Sequence, residues 1–125
     1  MKYDDFISTV ADRTALPRDD AETLTHATLR VLAERLSGGE AEDLRAQLPK
    51  QLQVDLISPQ EKAESFDADE FARRVARRTG MNEADAGIGV LAVLATIREA
   101  VTPGEFNDVL SQLGREFAEL IDATS

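Results

Sequence analysis

An all-α fold is predicted, a helical bundle of two tandem four-helix repeats, about eight helices, sharing one core. Three observations predict it. Apolar residues recur three and four positions apart rather than in alternation. Helix-start signals, Ser, Thr, Asp or Asn followed three residues later by an acid, punctuate the chain at intervals suited to short helices. The second half also repeats the first at a constant offset of 65 residues, with roughly 30% identity over an ungapped span of about 50 residues.

The first helix is expected over residues 4–15, with Phe6, Ile7 and Val10 on one face and Asp4, Asp5, Asp12 and Arg13 opposite. Pro17 breaks the chain and suits the start of a second helix over residues 18–36, whose inner stripe is Ala21, Leu24, Ala27, Thr28, Val31, Leu32 and Arg35. The Arg35 head is expected to snorkel to solvent. Ser37-Gly38-Gly39-Glu40 then restarts the chain. Ser37 and Glu40 stand at capping-box spacing, the hydroxyl accepting from the Glu40 amide and the carboxylate reaching back to the Ser37 amide. A third helix runs to about Leu48, where Pro49 stops it, and a short fourth is expected over residues 50–56.

Polar residues 58–65, containing Pro59 and two serines, read as a linker between repeat 1 (residues 3–57) and repeat 2 (residues 66–122). Residues 1–125 together read as one domain, since neither half is large enough to bury a comfortable core alone. In repeat 2, Asp67 with Glu70, Asn82 with Asp85, and Thr102 with Glu105 mark three helix starts. Pro103 stands at a first helical position, and Val101 with Phe106 forms a hydrophobic staple. The helix over residues 83–101 is apolar on nearly all sides (Ile88, Val90, Leu91, Val93, Leu94, Ile97) and is placed at the centre, buried all round. Residues 122–125 are expected to fray.

Bulk chemistry narrows the function. With 24 acidic and 14 basic residues the formal net charge is −10, which disfavours general attraction to nucleic acid or anionic lipid. No cysteine is present, so disulfide, thiolate and cysteine-zinc chemistry are excluded. The N-terminus lacks an apolar signal core and reads as the start of a mature cytoplasmic protein. The longest apolar run, residues 87–97, is too short to span a bilayer.

Tyr3-Asp4-Asp5-Phe6, Leu36-Ser37-Gly38-Gly39-Glu40-Ala41, the closing Asp43-Leu44-x-x-Gln47-Leu48-Pro49 and the 65-residue echo resemble the bacterial domain-of-unknown-function family 2267 over nearly the whole chain. The resemblance implies an all-helical bacterial protein built from tandem repeats, with no established activity and no catalytic residues to transfer. The second repeat departs from the pattern at Thr102-Pro103-Gly104 and at Gly114, which replaces Pro49.

Four groups of residues bear on function. Gly38 and Gly39 at a helix start could seat an anion, but Glu40 would repel one and Pro103 removes a donor from the second copy. Ser37, Glu40, Thr102 and Glu105 therefore read as structural caps. Arg73, Arg74, Arg77 and Arg78 share one side of a helix, a candidate interaction face. Their repeat-1 counterparts are Ser8, Thr9, Asp12 and Arg13, so the shared fold does not demand the cluster. Pairing with nearby carboxylates is the favoured account, and docking on the chain's own acidic surface the dimer-forming alternative. His26, the sole histidine, faces Leu91 in the echo and has only Glu22 as an acidic neighbour three or four residues away, which speaks against a metal or catalytic role. Carboxylate pairs such as Asp19/Asp20 and Glu42/Asp43 lie in first helical turns, where the helix dipole accounts for them. No nucleophile elbow, phosphate-binding loop, dinucleotide fingerprint, calcium loop or Glu-x-x-His motif occurs.

These readings converge on a non-catalytic cytoplasmic protein-interaction or regulatory module, with another protein or a second copy as partner. The alternative is nucleic-acid or anion binding through the four-arginine face. No catalytic residue, metal site or cofactor is implied, and no membrane.

Overall fold

The computed structural model describes residues 1–124, which form eight α-helices and no strand. They are α1 (Tyr3–Thr14), α2 (Arg18–Arg35), α3 (Gly38–Ala46), α4 (Lys50–Gln53), α5 (Ala68–Thr79), α6 (Glu83–Ala100), α7 (Pro103–Leu113) and α8 (Arg115–Thr124). Among the described residues no single helix is long and apolar enough to cross a membrane, and α5 and α6 pass that test only as a pair bent by 103°.

Local signals start the helices where the sequence places them. Asp67 Oδ1 accepts from the Glu70 amide at 2.9 Å, and Asn82 Oδ1 from the Asp85 amide at 2.8 Å. Ser37 Oγ accepts from the Glu40 amide and Thr102 Oγ1 from the Glu105 amide, at 3.2 and 3.3 Å. The returning carboxylate arms at Glu40 and Glu105 are not made. A glutamine from the other half fills each place: Gln112 Oε1 accepts from the Ser37 amide and Gln47 Oε1 from the Thr102 amide, both at 2.8 Å. A backbone amide needs one acceptor, and once the glutamine supplies it the glutamate is free to turn inward.

One apolar cluster draws on both halves. It runs from Phe6, Leu24 and Leu32 to Phe71, Val93, Phe106 and Phe117. The packing is reciprocal: α1 lies on α2 and α6, α5 lies on α6 and α2, and α3 lies on α7. Residues 65 apart exchange equivalent contacts. Arg13 pairs with Glu99, and Arg78 with Glu34. This pattern is consistent with two four-helix units in a twofold-like relation.

Several expectations need correcting. Helix α6 is not buried all round: Ile88 is 62% exposed, because α5 and α8 leave the Glu83–Ala84–Gly87–Ile88–Leu91 strip open. The Arg35 head does not snorkel. It is buried and donates to the Phe66, Gln112 and Leu113 carbonyls, with its guanidinium 5.8 Å from the Phe66 and Phe117 ring centres. A cation there satisfies the last carbonyls of α7. Helix α4 is shorter than expected. The Asp55 and Leu56 amides bond only three residues back, while the Asp55 carboxylate is held by His26 and Arg30. Helix α8 stays helical through Thr124, anchored by buried Ile121 and by Thr124 Oγ1 donating to the Leu120 carbonyl at 2.9 Å; Ser125 lies outside the described residues. The linker also packs down, with the Gly38 amide donating to the Glu61 carbonyl and the Glu64 amide to the Glu34 carbonyl, both at 3.0 Å.

Candidate functional site

The four arginines of α5 are set four and three residues apart, so the helix carries them on one side. Carboxylates meet them there. Arg74 donates Nε to Glu70 at 2.8 Å, Nη1 to Glu34 at 2.9 Å and Nη2 to Glu64 at 2.7 Å, and it lies 3.9 Å over the Phe66 ring. Arg78 donates to Glu34 at 2.6 Å and Arg73 to Glu70 at 3.0 Å. Arg77 is 3.6 Å from Glu70 with its side chain 66% exposed. Hydrogen bonds from Arg74 and then Arg73 hold the Glu70 carboxyl down to about 2, and Arg74 also lowers Glu64. The cluster thus ties α5 to α2 and to the linker, and Arg77, at 3.6 Å from Glu70, is the most exposed of the four.

The two Gly-Glu turns meet each other. Because Gln112 and Gln47 hold the cap amides, Glu40 and Glu105 point into the α3–α7 contact, where they are 9% and 8% exposed. Glu40 Oε1 and Glu105 Oε2 have no hydrogen-bond partner. Burial first, and then the adjoining Glu105 carboxyl, push Glu40 well above the usual carboxylate range, with Asp108 and Asp43 adding to the field. Gly38 offers no free anion cradle, since its amide is taken by the Glu61 carbonyl. The caps at Ser37 and Thr102 are structural; Glu40 and Glu105 are caps only through their own amides.

The halves also differ at the face between their first, second and fourth helices. In the second half this face is an open apolar groove of about 510 Å³, lined by Ala68, Ala72, Gly87, Ile88, Leu91 and Leu120 among others. The residues 65 earlier than Ala68, Gly87, Leu91 and Leu120 are Tyr3, Glu22, His26 and Asp55. These four form a polar chain in the first half, where Glu22 and His26 line an open depression of about 580 Å³ together with Asp19, Thr23, Arg30 and Arg78, so the first half is polar here where the second is apolar. The Tyr3 hydroxyl donates to Glu22 Oε2 at 2.6 Å and lies 3.0 Å from His26 Nε2. The other ring nitrogen of His26 bonds Asp55, which also accepts from Arg30 Nε at 2.8 Å. Burial, then the hydrogen bond to Glu22, push the Tyr3 phenol up to about 12. The phenol therefore stays protonated and acts as a hydrogen-bond donor to Glu22.

His26 lies where the echo puts it, half-buried, but with Asp55 and Tyr3 rather than a neighbour on its own helix. Considered alone, His26 gives no sign of this. The signal was present in the offset: tyrosine, glutamate, histidine and aspartate are replaced together by alanine, glycine and two leucines.

The family model described as "Uncharacterized conserved protein (DUF2267)" matches residues 3–120 of the chain. No curated protein matches it.

Proposed function

We propose for this chain, which belongs to the DUF2267 family, the role of a non-catalytic, cytoplasmic protein-interaction module that docks a partner in the apolar groove between α5, α6 and α8. One observation carries the reading. At the place where Tyr3, Glu22, His26 and Asp55 make the first-half face polar, the second half carries Ala68, Gly87, Leu91 and Leu120 and presents an apolar groove. An aromatic side chain fits the first half; the occupant of the second is therefore a protein segment carrying an aromatic or branched apolar anchor. Asp69, Glu83 and Arg73 on the rim supply polar contacts around that anchor, the arrangement of an apolar centre within a polar border.

The arginine face is the weaker surface. Arg73, Arg74 and Arg78 already meet Glu70, Glu34 and Glu64, so phosphate contacts there would have to displace internal pairs.

The test compares proteins retained from extract of the source cells by the wild-type chain and by Ile88→Asp, together with the molar mass of each in solution. Retention of one defined protein, or a dimer, by wild type and its loss in Ile88→Asp supports the groove. Identical retention by both contradicts it. A gel shift at low salt that Arg77→Gln abolishes would move the function to the arginine face.

A further inference from the structure

The α3–α7 contact holds a feature that docking does not use. Glu40, Asp43 and Glu105 present carboxylate oxygens that all lie within 4.8 Å of one another. A cluster of surface acids would mean little, but two of these are more than nine-tenths buried, and Glu40 Oε1 and Glu105 Oε2 face each other's surroundings without a hydrogen-bond partner. A buried carboxylate oxygen with no donor is costly. Glu40 is raised first by burial and then by its side-chain hydrogen bond to Glu105, with the charges of Glu105, Asp108 and Asp43 adding to the shift. Both glutamates are third residues of their helices, the glutamines take the cap amides that they would otherwise reach, and their side chains are buried in the contact.

We propose that Glu40, Glu105 and Asp43 form a binding site for one hard divalent cation, which clamps α3 to α7 and so joins the two halves of the chain. Three oxygens with no nitrogen or sulfur donor select calcium, magnesium or manganese over zinc or copper. Asp43 is exposed and gives the ion its route from solvent, while water completes the coordination on that side. The cation satisfies both orphan oxygens at once and replaces a like-charge contact by two opposite-charge ones.

Calcium chloride and manganese chloride, each titrated calorimetrically into chelator-stripped full-length chain, test this. The expected result is one saturable site per chain with Kd of about 10⁻⁵ to 10⁻³ M, and a rise in Tm of roughly 10 °C at a hundred-fold excess over Kd. Glu105→Gln and Asp43→Asn should each weaken binding at least about ten-fold, as loss of one charged ligand does. Glu42→Gln, an exposed neighbour on the same helix, should leave it unchanged. Absence of a saturable site overturns the proposal, as does equal binding by wild type and both ligand variants. A Tm rise reproduced by sodium chloride at matched ionic strength also overturns it, because the effect is then screening of the net charge. Asp43→Asn removes only an exposed group, so the proposal remains testable even where Glu105→Gln perturbs folding.

Discussion

Leu24 of α2 and Gly89 of α6 occupy the same place in their two halves, 65 residues apart, and they pack directly on each other. A Cβ on Gly89 would lie 2.7 Å from Leu24 Cδ2 and 2.8 Å from its Cδ1. The close crossing of the two long helices depends on that pair. Gly89→Ala gains about 0.5–1 kcal/mol of helix propensity but forces a fully buried leucine to move, at about 1–3 kcal/mol. The variant should therefore be less stable by roughly 1 kcal/mol in urea unfolding. A gain in midpoint would mean that α2 and α6 are not so tightly held.

Ala15 and Gly80 are the corresponding ends of α1 and α5, and both are left-handed, with φ of 59° and 80°. Glycine bears that conformation freely and alanine does not. Ala15→Gly should stabilise the chain by about 1 kcal/mol, against the usual trend for glycine substitution. A fall in Tm would place Ala15 in another conformation.

The crossed glutamine caps make a third prediction. Gln112→Ala should cost about 1–2 kcal/mol, since it accepts from the Ser37 amide and also donates to Ser37 Oγ at 3.0 Å. Gln47→Ala should cost less, because among the described residues the Gln47 side chain makes a single bond, to the Thr102 amide. Ser37→Ala should cost about 1 kcal/mol, because it removes the acceptor of the Glu40 amide together with that of Gln112 Nε2. Denaturant midpoints would rank them, and a neutral Gln112→Ala would refute the cross-cap.

Much of this architecture is written in neighbouring residues. Helix starts at Ser37, Asp67, Asn82 and Thr102 depend on groups three positions apart, and core faces such as Phe6–Ile7–Val10 follow from helical period, so both are readable locally. The reciprocal pairing of Arg13 with Glu99 and Arg78 with Glu34 was implicit in the offset. What stayed hidden depends on tertiary approach. Nothing near Gln112 says that it caps Ser37, and nothing near Arg35 says that it closes the end of α7. Ile88 reads as core from composition alone, and only the positions of α5 and α8 leave it open. The candidate cation site lies furthest from view, because Glu40 and Glu105 each look like complete local caps until the other half takes over their amides.

Acid should remove the contribution that the α5 corner makes to stability. Hydrogen bonds from Arg74 and Arg73 hold Glu70 down to about 2, against an ordinary value of 4.5. A carboxylate lowered in the folded chain stabilises it above the unfolded value, and the contribution is lost as pH falls from about 4.5 toward about 2. Glu70→Gln should therefore show a shallower loss of stability across that window than wild type in pH-dependent unfolding. Parallel curves would mean that the Arg74–Glu70 contact does not persist in solution.

Occupation of the groove by an apolar anchor is the central claim, and filling the groove from within tests it most directly. Ala68→Phe restores an aromatic side chain where Tyr3 stands in the first half. Heteronuclear NMR titration with N-acetyl-phenylalanine amide should shift the Gly87, Ile88 and Leu91 amides of the wild-type chain, with Kd on the order of 1 mM for so small an anchor. The same titration of Ala68→Phe should leave those amides unmoved while Tm holds or rises. Undiminished shifts in the variant, or shifts scattered away from α5, α6 and α8, would contradict the account.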